Sequence, residues 1–243
     1  MQPFRFITRT PLTTFVFLLL LGLLAYANAI HHPFVHDDVV FILNNPHIKD
    51  LSPASVFRPK VIDGPAAELV NVYYRPLVEL YYRLVAVLFG LHAWVFHLIN
   101  ILVHGVNAFL VFTLLKRCGV VRPNEALFIA VVFLVHPVQT EAVACISGIS
   151  NLLLLSVMLG SFLLYLKGRA AGARGPYAGC LALLLTGCLV KEQMIVLPLL
   201  IGLYEMLVIP SGERKFGKLM GLFITLAVYF LFRRIMLGFS LTG

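Results

Sequence analysis

Two adjacent carboxylates, Asp37 and Asp38, follow the first long apolar run of the chain. At a membrane–water boundary such a pair is costly unless it is solvated, paired or used. One carboxylate can take a proton from a hydroxyl, and two side by side can hold a divalent metal. A plainer role for Asp38 is to cap the helix that follows it. Further along stand His136 and Glu141 in the run His136-Pro137-Val138-Gln139-Thr140-Glu141, then Lys191-Glu192, then Arg233-Arg234. A lysine or arginine at such a depth either snorkels to the headgroups or meets a lipid phosphate.

His97, Asn100, His104 and Asn107 fall within about an 80° arc of one helix face. A polar stripe in an apolar helix points into the bundle. It serves either as hydrogen-bonding glue between helices or as the wall of a polar cavity reaching down from the outer face. His97 and His104 have no further ligand at fixed spacing that would make them a haem or metal pair.

The elements that must position these residues are written in the composition. The 243-residue chain is 60% hydrophobic and 12% charged, with a mean hydropathy of +0.94. A soluble domain carries roughly twice that charge fraction. Apolar segments near 11–30, 94–115, 126–143, 146–166, 177–190, 193–209 and 218–237 are the candidate spans. In lipid the backbone must satisfy itself, so they are predicted to be helices. The fold class is an all-α polytopic membrane protein forming one membrane domain, with its N-terminus in the cytoplasm.

The net charge of +8 sorts by side and does not imply nucleic acid. Arg5, Arg9, Lys116, Arg117, Arg122, Lys167, Arg169, Arg174, Arg214, Lys215 and Lys218 fall at the cytoplasmic ends, as the positive-inside rule expects. Asp37, Asp38, Asp50, Asp63, Glu68, Glu79, Glu141 and Glu192 fall outside. The first segment has a rival reading as a signal peptide, with a small-residue site at Ala25-Tyr26-Ala27-Asn28-Ala29. Its full-span length favours retention. Cys118, Cys145, Cys180 and Cys188 have no C-x-x-C spacing and read as small packing residues.

Residues 31–93 form one long outer segment, broken by prolines. Two parts of it read as helical and interfacial. One runs from about Asp38 to Asn45. The other starts at Pro76 and pairs Glu79 with Arg83 four residues on. Tyr73, Tyr74, Tyr81, Tyr82 and Trp94 suit an aromatic belt. Carboxylates, histidines, a Lys-Glu pair and two arginines thus gather at the outer boundary. That suits a reaction between a lipid-borne phosphate and an outer acceptor.

Several of these runs resemble a known family. Phe34-Val35-His36-Asp37-Asp38, Asn44-Asn45-Pro46, Tyr74-Arg75-Pro76-Leu77 and Phe96-His97-Leu98-Ile99-Asn100-Ile101-Leu102-Val103-His104 are similar to runs of the transmembrane-and-TPR-repeat O-mannosyltransferases. His136-Pro137-Val138-Gln139-Thr140-Glu141-Ala142-Val143 and Lys191-Glu192 complete the set, in order, over about residues 30–205. The resemblance implies a GT-C glycosyltransferase module of about seven helices, with the acidic motif on its first outer loop. It implies transfer of mannose or another hexose from a polyprenyl- or dolichyl-phosphate carrier to a protein Ser/Thr or glycan hydroxyl. Asp37 or Asp38 would be the base of an inverting attack. Arg75, Lys191 or Arg233, or a metal on the Asp pair, would meet the phosphate. His97, His104, His136, Glu141, Glu192 and Arg234 complete the expected substrate-binding set. The membrane that the resemblance implies is the bacterial inner membrane or the ER membrane.

The pattern departs from the family at Gly148-Ile149-Ser150-Asn151, where an arginine and an acid are usual. The end at Gly243, just past a span, reads as that of a truncated chain or of the N-terminal portion of something longer, and with it the missing charges at Ile149 and Asn151 support an alternative reading. A non-catalytic module, served by a second chain that supplies missing helices, is the alternative. A secondary transporter using the polar stripe is the third reading, but no inverted repeat supports it.

Overall fold

The computed structural model describes residues 7–57 and 74–238, which are helical and contain no strand. Arg5, Asp63, Glu68 and Tyr73 lie outside the described residues. The main helices are α1 (Pro11–Ala25), α2 (Pro53–Val56), α3 (Pro76–Phe89), α4 (Ala93–Cys118) and α5 (Pro123–Val135). They continue as α6 (Thr140–Ala144), α7 (Ile149–Ala171), α8 (Arg174–Val190), α9 (Leu197–Leu207) and α10 (Gly217–Gly238). Proline opens α1, α2, α3 and α5, where its missing N–H would have no helical partner. Gly119 and Gly172 close α4 and α7 at φ of 71° and 63°, a left-handed step that suits glycine.

Ala93–Cys118 and Ile146–Ala171 are long and apolar enough to cross a membrane. Pro123–Val135 and Pro137–Ala144 pass that test only together, and they bend by 50° at their junction. Several segments differ from the spans expected from hydropathy. The first helix stops at Ala25 and continues as a 3₁₀ turn over Ala27–His31. Segment 126–143 is broken at Pro137, because proline cannot donate into a continuing helix. Segment 193–209 is a 3₁₀ turn, Glu192–Val196, followed by the 11-residue α9. The expected helix from Asp38 is a single π-type turn, Val39–Leu43. The helix starting at Pro76 is present as expected.

α4 is the hub, packed by α1, α5 and α7, while α7 lies along α8. α1 comes so near α4 that a Cβ on Gly105 would sit 2.8 Å from Leu19 Cδ2. Such close approach through small residues is how helices gain dispersion energy in lipid, where burial against a neighbour removes no water. α1 buries Thr14, Leu18 and Gly22, so it packs as part of the bundle.

The polar stripe of α4 is fully buried and stitches the breaks in other segments. A continuous helix would give the Val138 N–H to Leu134 O. Instead His136 Nδ1 accepts that N–H at 3.2 Å. The freed Leu134 carbonyl accepts from His104 Nε2 at 3.0 Å and from Tyr26 Oη at 3.1 Å. Asn100 Nδ2 donates to Cys145 O at 2.8 Å, where α6 has ended. Asn107 Nδ2 donates to Leu152 O at 2.9 Å, and His97 Nε2 contacts His32 O at 3.1 Å. Each such bond is worth about 0.6 kcal/mol on average in a membrane bundle.

Candidate active site

A cavity of about 580 Å³ opens where the segment before α2, the start of α3, the α6–α7 turn and the α8–α9 turn meet. Ligand sites usually span about 300–1,000 Å³. α7 starts at this end and α8 finishes there. Lys116, Arg117, Lys167, Arg169 and Arg174 sit at the far ends of α4, α7 and α8. The cavity and the basic helix ends therefore lie at opposite ends of those helices.

The acidic pair is split by the backbone. His36 has a φ of 46°, uncommon for a residue with a Cβ. The tight turn leaves Asp37 exposed on the cavity wall and drives Asp38 inward, to 0% exposure. Asp38 Oδ1 accepts the Ser147 N–H at 2.8 Å, and Oδ2 accepts the Val35 N–H at 3.2 Å. Asp38 is a brace between two segments, and it does not cap Val39–Leu43 through its side chain. Both of its oxygens are thus engaged by backbone N–H groups. Among the described residues no three His, Cys, Asp or Glu side chains are grouped to hold a metal ion.

Ser147 is fixed because Gly148 lets the 3₁₀ turn Ile146–Gly148 press onto α6. A Cβ there would meet Ala142 O at 2.3 Å. Glu141 and Cys145 line the same wall. Burial pushes the Cys145 thiol above its ordinary range, and the carboxylates of Asp38, Glu141 and Asp37 push the same way.

Arg75 and Lys191 line another part of the cavity. Arg75 Nη2 donates to Glu192 Oε1 at 3.3 Å, and Arg233 Nη1 lies 3.9 Å from Glu192 Oε2. Burial opposes ionisation of Glu192, but a backbone hydrogen bond and the two guanidiniums hold its carboxyl below the usual range. The Lys191 ammonium donates to Asn151 Oδ1. Burial, then the nearby Arg75 charge, lowers the Lys191 pKa.

α3 supplies the remaining wall. Arg83, 0% exposed, binds Glu79 Oε1 at 2.6 Å, the Ser55 hydroxyl at 2.9 Å and the Asp50 carbonyl. Asn45 Nδ2 donates to the same Glu79 oxygen at 3.0 Å. This network clamps the first outer segment to α3, and Glu79, Tyr74 and Tyr82 face the cavity.

Of the residues singled out by sequence, Asp37, Arg75, Glu141 and Lys191 line one cavity. Glu192 and Arg233 form the ion-pair group attached to Arg75. His97 and His104 are buried in the bundle, His136 caps a turn, and Arg234 is exposed on α10; none of these four lines the cavity. His36, Cys145, Ser147, Ser150 and Asn151 line it without having been marked as site residues. Only their adjacency to the Asp pair and the Thr-Glu-Ala-Val run could have signalled them.

Comparison with known proteins finds mouse protein O-mannosyl-transferase TMTC1, 33% identical over 200 residues, covering 80% of this chain and 20% of that protein. Human protein O-mannosyl-transferase TMTC3 is 32% identical over 192 residues, covering 75% of this chain and 20% of that one. Drosophila melanogaster protein O-mannosyl-transferase Tmtc1 is 30% identical over 225 residues, 92% of this chain and 26% of that one. This chain thus spans about a fifth to a quarter of the length of these relatives. No family model matches it, and no solved structure does.

Proposed function

Over most of its length this chain belongs with the TMTC protein O-mannosyl-transferases, and on that footing we propose that it is the part of a GT-C mannosyltransferase that holds the catalytic base and the donor phosphate. The donor is a polyprenyl-phosphate mannose, and the acceptor is a Ser or Thr hydroxyl of a protein. The seven apolar segments cross the membrane, with the N-terminus in the cytoplasm. The cavity then faces the non-cytoplasmic side, because the basic helix ends lie opposite it.

One observation carries this reading: the exposed Asp37 carboxylate and the Arg75 and Lys191 cations line the same cavity. Asp37 takes the hydroxyl proton as the oxygen attacks the anomeric carbon. The bond from that carbon to the phosphate oxygen breaks, its electron pair leaves with the phosphate, and configuration inverts. The leaving phosphate gains negative charge, and Lys191 and Arg75 stabilise it where water is scarce. Glu141 is placed to hold a sugar or acceptor hydroxyl.

The test is transfer from radiolabelled polyprenyl-phosphate mannose to a Ser/Thr peptide by the full-length protein in membranes. Asp37→Asn should lower the rate about 10²–10⁴-fold, as expected when a general base is lost. Undiminished transfer by Asp37→Asn would eliminate the base assignment.

A further inference from the structure

The partner of Lys191 is a neutral amide. Among the described residues Lys191 makes no ion pair, and its ammonium is held by Asn151 Oδ1. The neighbouring carboxylate, Glu192, is already shared by two guanidiniums, those of Arg75 and Arg233. Asn151, the exposed third residue of α7, lines the cavity together with Lys191 and Arg75. An aspartate would fit the same position with almost the same shape, but it would cancel the lysine charge. The amide orients the ammonium and leaves its charge directed at whatever occupies the cavity.

We infer that position 151 is specificity-determining through its neutrality: with Asn151 in place of an acid, the basic end of the cavity stays charged enough to prefer a phosphate monoester dianion over a phosphodiester monoanion. The inference rests on the donor-phosphate reading given above. A sugar phosphodiester carries one negative charge, and the lipid phosphate it releases approaches two near neutral pH, since a monoester has its second pKa near 6. Bond breaking therefore raises the charge that Lys191 faces. A site matched to the later state favours the transition state over bound donor. The same match makes the released lipid phosphate a competitive product inhibitor.

Full-length protein in detergent, titrated with farnesyl phosphate, its methyl diester and inorganic phosphate, tests this without any sugar transfer. The wild type should bind the monoester about tenfold more tightly than the diester, one extra charge facing a half-buried cation. Asn151→Asp should weaken monoester binding about tenfold and level that preference. Asn151→Ala, which removes the amide but adds no charge, should keep the preference. Four results overturn the inference: a wild type with no monoester preference, an Asn151→Asp protein with the wild-type preference, an Asn151→Ala protein that loses it equally, or inorganic phosphate binding as tightly as farnesyl phosphate. An Asp37→Asn protein that still transfers mannose would defeat the base assignment and leave these titrations intact. Normal loss of transfer in Asp37→Asn, with no monoester preference in the wild type, would defeat this inference alone.

Discussion

Replacing Asp38 with Asn should cost folding stability where replacing Asp37 does not. Asp38 is fully buried, and each of its oxygens accepts a backbone N–H, from Ser147 at 2.8 Å and from Val35 at 3.2 Å. Asparagine keeps one oxygen and turns the other position into an NH₂ group. Whichever way it is set, one of the two half-buried N–H groups then faces the buried amide NH₂, donor against donor. An orphaned buried polar group costs about 1–3 kcal/mol. That is about a five- to 150-fold loss in the folding equilibrium, at about 1.4 kcal/mol per factor of ten. Asp38→Ala orphans both N–H groups and should lose roughly twice as much. Asp37 is exposed, and Asp37→Asn should stay within about 0.5 kcal/mol of the wild type. Denaturant titration of the three variants in micelles, followed by circular dichroism, measures this directly. Limited proteolysis at residues 31–57 reports whether the outer segment has come loose. Equal stability of Asp38→Asn and the wild type, or an equal loss in Asp37→Asn, would refute the division of labour between the two carboxylates.

Arg83→Met should destabilise by about 3–5 kcal/mol, because Glu79 is left without its buried guanidinium; faster proteolytic cutting between residues 46 and 57 would register the released segment. Gly148→Ala should lower both stability and transfer, since the added Cβ would lie 2.3 Å from Ala142 O and push Ser147 off Asp38; thermal unfolding and a transfer assay together check it. The Lys191 pKa is lowered, so the ammonium that meets phosphate loses its proton at a lower pH than a free lysine. Farnesyl phosphate binding should therefore weaken on the alkaline side below the ordinary lysine range, and Lys191→Arg should remove that limb. The Glu192 carboxyl is held low, so its contribution to stability is present above the ordinary glutamate pKa and fades as pH falls through the folded value; denaturation midpoints of Glu192→Gln should lose that acid-side dependence.

The helices were legible in the sequence because long apolar runs leave the backbone so few alternatives. The breaks were harder to read. Hydropathy ran 126–143 together as one segment, although Pro137 was visible, because a proline in lipid only breaks a helix when the freed carbonyls find other donors. Those donors, Tyr26 and His104, come from two other helices. The same blindness applies to the stripe on α4: periodicity put His97, Asn100, His104 and Asn107 on one face, but their partners are carbonyls of distant segments, three at segment ends and one, Leu152 O, inside the first turns of α7. The sequence marked Asp37 and Asp38 equally. A single backbone step at His36 decides which one meets the cavity, and no periodicity encodes it. Asn151 stood out only as a charge that was missing, and its bond to Lys191, 40 residues away, gives the absence a chemical meaning.

The hydrogen bond from the Ser147 N–H to Asp38 joins residues 109 positions apart. As a ribosome extends the chain from its N-terminus, the aspartate emerges long before the backbone that will hold it. During that interval its carboxylate has no backbone N–H from Ser147 and must be satisfied by water. The cavity wall can therefore assemble only after roughly a hundred further residues have been made, and a nascent chain arrested before Ser147 should leave residues 31–57 open to protease.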